Sequence, residues 1–259
     1  MPKLILFAAF FKKEFILFRR YLVNSLGGML TIYIVFLLLF GGYRGFASMA
    51  GAVGGSGIEN LVVGYVLWFF MLTTYQDVFH TILLEARQGT LEQLYMSVHG
   101  FGWVMGAKAA AGFVVNLIFV VVLLIAAMLT SGVTLRLDVL SLFPVLLGTL
   151  LGVLGVGFAI GGVTLILKRI ESYTQMVQFL LIGLIAVPAE RFVVFRLLPG
   201  SYGAVLIREI MVNGKNLLEL GVGNVLVMYL IGFAHLFLGY AFYKVCERKA
   251  MIQGTLGHY

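Results

Sequence analysis

Residues 139–167 read VLSLFPVLLGTLLGVLGVGFAIGGVTLIL, a run of 29 residues without a charged side chain. A helix needs about 20 apolar residues to cross the hydrocarbon core of a membrane, because that core is about 30 Å thick and each residue rises about 1.5 Å. The stretch is long enough to do so. It therefore predicts a helix that lies in lipid.

The composition of the whole chain agrees with this prediction. Of its 259 residues, 61% are hydrophobic and 11% are charged, whereas soluble domains carry roughly a quarter charged residues. An ordinary soluble fold is excluded. The single cysteine, Cys246, excludes an intrachain disulfide framework, and the Cys and His spacing matches no zinc-binding pattern.

Five further segments qualify, or nearly qualify, as membrane spans. The six predicted spans are 22–42, 61–84, 109–131, 139–167, 173–189 and 221–245. The fifth is the shortest, because Glu190 and Arg191 interrupt its apolar run after 17 residues. The sequence thus predicts an all-α integral membrane protein with a single transmembrane domain over 1–259.

The segment between the last two predicted spans, 190–217, has its own pattern. An apolar patch at 192–198 is followed by a Pro-Gly turn at 199–203 and a helical pattern at 204–212. One interpretation is short re-entrant helices, whose backbone must be satisfied by protein or water. The other is a plain outer loop.

Residues 1–21 predict an amphipathic helix. Its apolar face consists of Leu4, Phe7, Phe11, Phe15, Phe18 and Leu22, at spacings of three or four. Its cations are Lys12, Lys13, Arg19 and Arg20. Such a helix lies in the membrane interface, with its aromatic face in the acyl boundary and its cations at anionic headgroups. The alternative is a solvated basic tail.

The distribution of basic residues predicts the orientation. A net charge of +7 would suggest nucleic acid as the partner of a soluble protein, but here the cations lie between apolar runs, so we expect no nucleic-acid binding. Twelve of the 18 Lys and Arg residues fall on the side that holds both termini. The positive-inside rule places that side in the cytoplasm, together with loop 85–98 and a tail over 246–259. The predicted location is the cytoplasmic (inner) membrane.

Motifs for covalent chemistry are missing from the sequence. It lacks the phosphate-binding pattern of Gly, four residues and Gly-Lys-Ser or Gly-Lys-Thr, and it lacks His-Glu-x-x-His and Gly-x-Ser-x-Gly. We therefore expect no catalytic, metal or cofactor-binding residues and no ATP hydrolysis by this chain alone.

Loop 85–98 carries the most specific signal. Gly89 should end the preceding helix, and Thr90 with Gln93 forms a capping-box pattern that starts a second helix at Leu91. The apolar face of that helix consists of Leu91, Leu94, Tyr95 and Val98. Because this face lies at the membrane surface, another part of the protein, lipid headgroups or a partner must cover it.

The pattern Glu85-x-x-x-Gly89-Thr90-Leu91-Glu92-x-Leu94 resembles the loop after the second transmembrane helix in type-2 ABC exporter permeases. The resemblance extends to the amphipathic N-terminal helix, the six spans and the broken segment before the last span. It implies that 91–97 is a coupling helix that docks on a separate ATPase, with Glu85 bracing its joint with the span. The implied coupling residues are Glu85, Gly89, Thr90, Leu91, Glu92, Leu94 and Tyr95.

The resemblance also implies the partners. These are two copies of a soluble ATPase subunit, which would hold ATP and Mg, and a second permease subunit in a homo- or heterodimer. The exported substrate would be an amphipathic drug, lipid or glycan.

The alternatives to an exporter permease are an ion-coupled secondary transporter or channel and a membrane scaffold. An ion-coupled transporter would hold ionisable residues at the bilayer midplane, whereas here they cluster near the span ends, except His235.

Two groups of polar residues are candidates for a translocation path. Thr73, Asp77 and His80 share one face of the second span. They are either a substrate-gating patch or polar residues solvated among the headgroups at the end of the helix. Glu190 and Arg191 either line an exit path or pair as loop charges.

Overall fold

The computed structural model describes residues 2–49, 57–167, 171–187 and 189–252, which form ten helices. They are α1 (Pro2–Arg20), α2 (Leu22–Met49), α3 (Gly57–Arg87), α4 (Leu91–Tyr95), α5 (Phe101–Ser131), α6 (Val139–Leu167), α7 (Glu171–Ala186), α8 (Val193–Arg196), α9 (Ser201–Met211) and α10 (Val222–Ile252). Helices α2, α3, α5, α6 and α10 are long and apolar enough to cross a membrane, by length and composition. To this extent the predicted all-α, multi-pass membrane fold is confirmed.

The fifth predicted span corresponds to α7, which has 16 residues. At about 1.5 Å per residue it is about 24 Å long, which is less than the hydrocarbon core. Its apolar part, Thr174–Ala186, is shorter than the five long helices. The predicted tail begins inside α10, which continues to Ile252, and residues 253–259 lie outside the described residues.

The relative directions of the helices follow from the side-chain contacts between them. Helices α3 and α5 are antiparallel, because Glu85 pairs with Lys108 while Asp77 accepts a hydrogen bond from Asn116. Helix α3 occupies the centre of the bundle, where it packs against α2, α5, α6, α7 and α9.

Helices α6 and α10 are parallel and form the most extensive helix pair. The Tyr229 hydroxyl donates to the carbonyl oxygen of Pro144 at 2.7 Å, and further along both helices Gly162 lies against Tyr243. Helix α7, which follows α6 in the chain, runs antiparallel to α3. Its direction follows from Trp68, which donates to the Gln178 carbonyl at 3.0 Å, and from Tyr75, which donates to the Thr174 carbonyl at 3.1 Å.

Segment 190–217 contains two of the short helices, α8 and α9. Nine of the 11 residues of α9 are buried, and α9 packs against α6, α3, α7 and α8. The helix begins at Ser201, three residues before the predicted start, directly after Gly200 at a φ of 78°. The α9 part of the segment is therefore buried in the bundle, whereas residues 190–194 are exposed.

Candidate functional site

Glu85 connects three parts of the candidate coupling loop. Its Oε1 lies 2.6 Å from Lys108 Nζ on α5, and its Oε2 accepts a hydrogen bond from the Thr90 hydroxyl. The Glu85 and Lys108 side chains are only 18% and 12% exposed. A carboxylate so placed fixes the end of α3 to α5 and to the start of α4.

Gly89 makes the turn between α3 and α4. Helix α3 ends at Arg87 and Gly89 adopts a φ of 68°, a left-handed conformation that favours glycine, so the predicted break at Gly89 is confirmed. The predicted capping box is wrong, because the Thr90 hydroxyl makes no capping bond to the α4 backbone. The Thr90 hydroxyl instead donates a charge-assisted hydrogen bond to the carboxylate of Glu85.

The inner face of α4 is covered by the chain itself. Leu91 is 2% exposed, and Leu94 and Tyr95 pack beside it in an apolar cluster with residues of α3, α5, α6 and α10. The sequence left three possible covers for this face: another part of the protein, lipid headgroups or a partner. For Leu91, Leu94 and Tyr95 the cover is another part of the protein. Val98 differs, since it is 98% exposed.

A cluster that we call the α4–α10 joint fixes α4 to the last helix. It consists of Tyr95, Phe101, Tyr243, Lys244 and Glu247. The Tyr95 and Tyr243 hydroxyls are hydrogen-bonded, and Phe101 stacks between their rings, with centroids 4.5 Å from Tyr95 and 5.2 Å from Tyr243. Lys244 lies 4.9 Å from the centre of the Tyr95 ring and 2.8 Å from the Glu247 carboxylate.

The electrostatics of the joint follow from its burial. Burial raises the pKa of the Tyr95 hydroxyl, and the nearby Tyr243 and Glu247 raise it further. The hydroxyl therefore stays neutral and can donate a hydrogen bond. Sequence reasoning missed this joint, because its members come from positions about 150 residues apart.

The outer side of the loop remains exposed. Glu92, Gln93, Met96 and Val98 face away from the cluster, and Met96 is 77% exposed. An acid, an amide and two apolar side chains on one exposed turn form a surface on which a partner can dock.

Helix α1 forms where the amphipathic pattern predicts it. All four cations, Lys12, Lys13, Arg19 and Arg20, are exposed, and the Leu4 side chain lies outside the described residues. The aromatic face is divided. Phe7 and Phe15 are exposed, whereas Phe11 and Phe18 are partly buried, with the Phe18 ring 5.4 Å from that of Phe119 on α5.

The candidate path residues lie in two groups. Asp77 faces a cleft, while the Thr73 hydroxyl and the His80 ring bond to carbonyl groups of their own helix. Glu190 and Arg191 are exposed beyond the end of α7, which lies near Gly64. Because Gly64 and Asp77 are 13 residues apart on α3, the groups are separated by about 20 Å along the helix axis.

The charges of α9 form a separate cluster. Glu209 pairs with Lys215 at 2.6 Å, and Arg208 donates to the carbonyl oxygen of Ile185 at 2.6 Å. The hydrogen bond to Glu209 raises the pKa of Lys215, and burial lowers the pKa of Arg208. Glu209 thus has a charged partner, whereas Arg208 is held by a backbone carbonyl group.

A glycine seam between α6 and α10 was also missed by sequence reasoning. Gly148, Gly152 and Gly155 of α6 face Gly232 and Gly239 of α10 so closely that a Cβ atom on Gly239 would lie 2.7 Å from the Cα of Gly155. Small residues at such spacing allow close backbone approach, which holds helices together in lipid. The Gly-x-x-x-Gly spacing at 148–152 is the sequence signal that could have revealed the seam.

Comparisons with family models, with curated proteins and with solved structures found no match to this chain. The geometry of the loop and the helix directions are therefore the basis of the functional argument.

Proposed function

We propose that this chain is the membrane-spanning permease subunit of an ATP-binding cassette exporter, driven by a separate ATPase subunit. The observation that carries the proposal is the two-sided loop 85–98. Its inner side is attached to α3, α5 and α10, through Glu85 and the α4–α10 joint. Its outer side is exposed around Met96. A partner that moves this loop would move the ends of three long helices together.

The helix directions support six crossings. Helices α6 and α10 are parallel, so the chain must return across the bundle between them, and α7 has the required direction. A helix of about 24 Å can cross if the bilayer thins locally. Six crossings place both termini on one side, and the excess of Lys and Arg there favours the cytoplasm.

We also propose that α8 and α9 lie at the outer side, as re-entrant helices. The burial of α9 against α6 supports this placement, and so does the turn at Gly200, which lies against Met71 and Val153. Non-helical backbone at membrane depth is tolerated only where protein or water satisfies it. We further propose that α1 lies at the inner interface, where its exposed cations meet anionic lipid.

The exporter would contain two permease subunits and two ATPase subunits. ATP and Mg would bind to the ATPase pair, and its closure would carry the α4 helices with it, shifting the permease pair between inward- and outward-open states. This chain would perform no covalent chemistry. Its substrate would be an amphipathic drug, lipid or glycan.

The test is recovery of the ATPase with the tagged chain, solubilised from membranes of its source organism. The partner should carry its own phosphate-binding motif, identified by mass spectrometry, and the complex should hydrolyse ATP in a vanadate-sensitive manner. Met96→Asp and Glu92→Arg should each lower recovery at least tenfold, since both residues are exposed on the docking side. A substitution at Leu94 would not test docking, because Leu94 packs against the apolar cluster of the chain itself and its loss would disturb the fold.

The matched control is Leu218→Asp. Leu218 is apolar and 83% exposed, and it lies between α9 and α10, on the side of the bundle opposite α4. It should leave recovery unchanged. The docking assignment is wrong if the Met96 and Glu92 variants retain the ATPase as fully as this control. Transport that follows an ion gradient without any ATPase would favour the secondary transporter instead.

A further inference from the structure

A cleft of about 290 Å³ opens between α1, the start of α2, α3 and α5. Its lining contains two carboxylates, Glu14 from α1 and Asp77 from α3, together with the Asn116 amide of α5. The volume is near the lower limit of small-molecule sites, which span roughly 300–1,000 Å³. The cleft is thus large enough for one ring and one charged group.

Asp77 has an unusual position for an acid. It lies within α3, one of the long apolar helices, and faces the cleft, where its carboxylate accepts a hydrogen bond from Asn116. Acidic residues are costly inside membrane helices, and they characteristically face a cavity with a functional role. Asn116 satisfies part of the carboxylate and leaves further lone pairs open to the cleft.

The cation in the lining does not neutralise Asp77. Lys108 Nζ lies 2.6 Å from the Glu85 carboxylate and 5.8 Å from the centre of the Phe10 ring. Its charge is therefore balanced by Glu85. Glu14 and Asp77 consequently give the cleft a net negative charge.

Aromatic rings form the other part of the lining. Phe18 and Phe119 meet edge to face at 5.4 Å, and Tyr21 also lines the cleft. Rings of this kind bind both apolar rings and organic cations, the latter through the negative face of the π system.

We propose that this cleft binds amphipathic monovalent cations, in which a protonated amine or quaternary centre adjoins an apolar ring. The cationic centre lies between Glu14 and Asp77, and the ring packs against Phe18 and Phe119. We further propose that this cation is the exported substrate, and that step alone rests on the proposed function. The binding site itself requires no ATPase.

The experiment uses the full chain in nanodiscs of zwitterionic lipid, without any ATPase. Binding of radiolabelled benzyltrimethylammonium, which has one ring and one cationic centre, is measured by equilibrium dialysis. Excess 2-phenylethylammonium should displace it, whereas benzenesulfonate, of similar size and opposite charge, should not. Asp77→Asn should weaken binding about tenfold, which corresponds to about 1.4 kcal/mol. Glu14→Gln should weaken it as well, and Glu59→Gln, at the other end of α3, should not.

A second pair of variants separates the site from the fold. Val115 lines the cleft, whereas its neighbour Val114 is exposed away from it. Val115→Trp should therefore abolish binding, and Val114→Trp should not. The inference is overturned if Asp77→Asn and Val115→Trp both bind as tightly as the wild type, or if benzenesulfonate displaces the probe equally well. Because no ATPase is present, either result leaves the proposed function to its own test.

Discussion

The glycine seam predicts that one methyl group added to α10 destabilises the bundle. In Gly239→Ala the new Cβ would lie 2.7 Å from the Cα of Gly155, and closer still to its carbonyl oxygen. This is 0.7 Å short of the 3.4 Å at which ordinary contact begins. Both atoms belong to backbone, so a side-chain rotation cannot relieve the overlap and the two helices must separate.

The magnitude follows from two opposing effects. Overpacking that shifts backbone costs about 1–3 kcal/mol, and the upper end applies here because α6 and α10 share one continuous seam. Alanine gains up to about 1 kcal/mol over glycine from helix propensity. The net loss in the free energy of unfolding is therefore about 2 kcal/mol.

Gly223→Ala provides the matched control within the same helix. A Cβ atom on Gly223 meets no atom within 4 Å, so only the propensity effect remains. Unfolding by SDS in mixed micelles, followed by the fluorescence of the two tryptophans, measures both variants. Gly223→Ala should be at least as stable as the wild type, and Gly239→Ala should be about 2 kcal/mol less stable than the wild type. Equal stability of the two variants would refute the seam.

Three further predictions follow from the loop, the topology and α1. Glu85→Gln should lower the free energy of unfolding by about 3 kcal/mol, measured in the same SDS assay, because it leaves the buried Lys108 without its counter-charge; an unchanged value would exclude a bracing role. After replacement of the native cysteine, a cysteine at Asn213 should react with an impermeant thiol reagent in intact cells, whereas one at Ser97 should react only after permeabilisation; labelling of Ser97 from outside would reverse the orientation. A peptide of residues 3–21 should be disordered in buffer and helical on anionic vesicles by circular dichroism; a peptide that stays disordered there would contradict the interfacial assignment.

The long helices could be predicted from the sequence because their signal is local. An uncharged run such as 139–167 carries its own evidence, and the structure places α6 over the same residues. The break at Gly89 was equally local. The capping of α4 was not, because the position of the Thr90 hydroxyl depends on the Glu85 carboxylate to which it donates, and a capping-box spacing takes no account of that partner.

The contacts between distant residues could not be predicted. Tyr95 meets Tyr243, and Asp77 meets Asn116, only because the chain folds α10 and α5 beside the earlier elements. Apolar periodicity also fails to distinguish a helix face that packs in protein from one that packs in lipid, since both are apolar. For this reason the sequence left open what covers the apolar face of α4, and the structure shows that the chain itself covers Leu91, Leu94 and Tyr95.

Helix α10 joins the two ends of the molecule into one mechanical unit. On one side the α4–α10 joint holds it through Tyr243, and on the other Asn224 accepts a hydrogen bond from Tyr202 of α9 at 2.8 Å. Between these points the seam fixes α10 to α6, and close-packed backbones shift as rigid bodies rather than deform. We therefore expect a displacement of α4 to carry α6, α9 and α10 together.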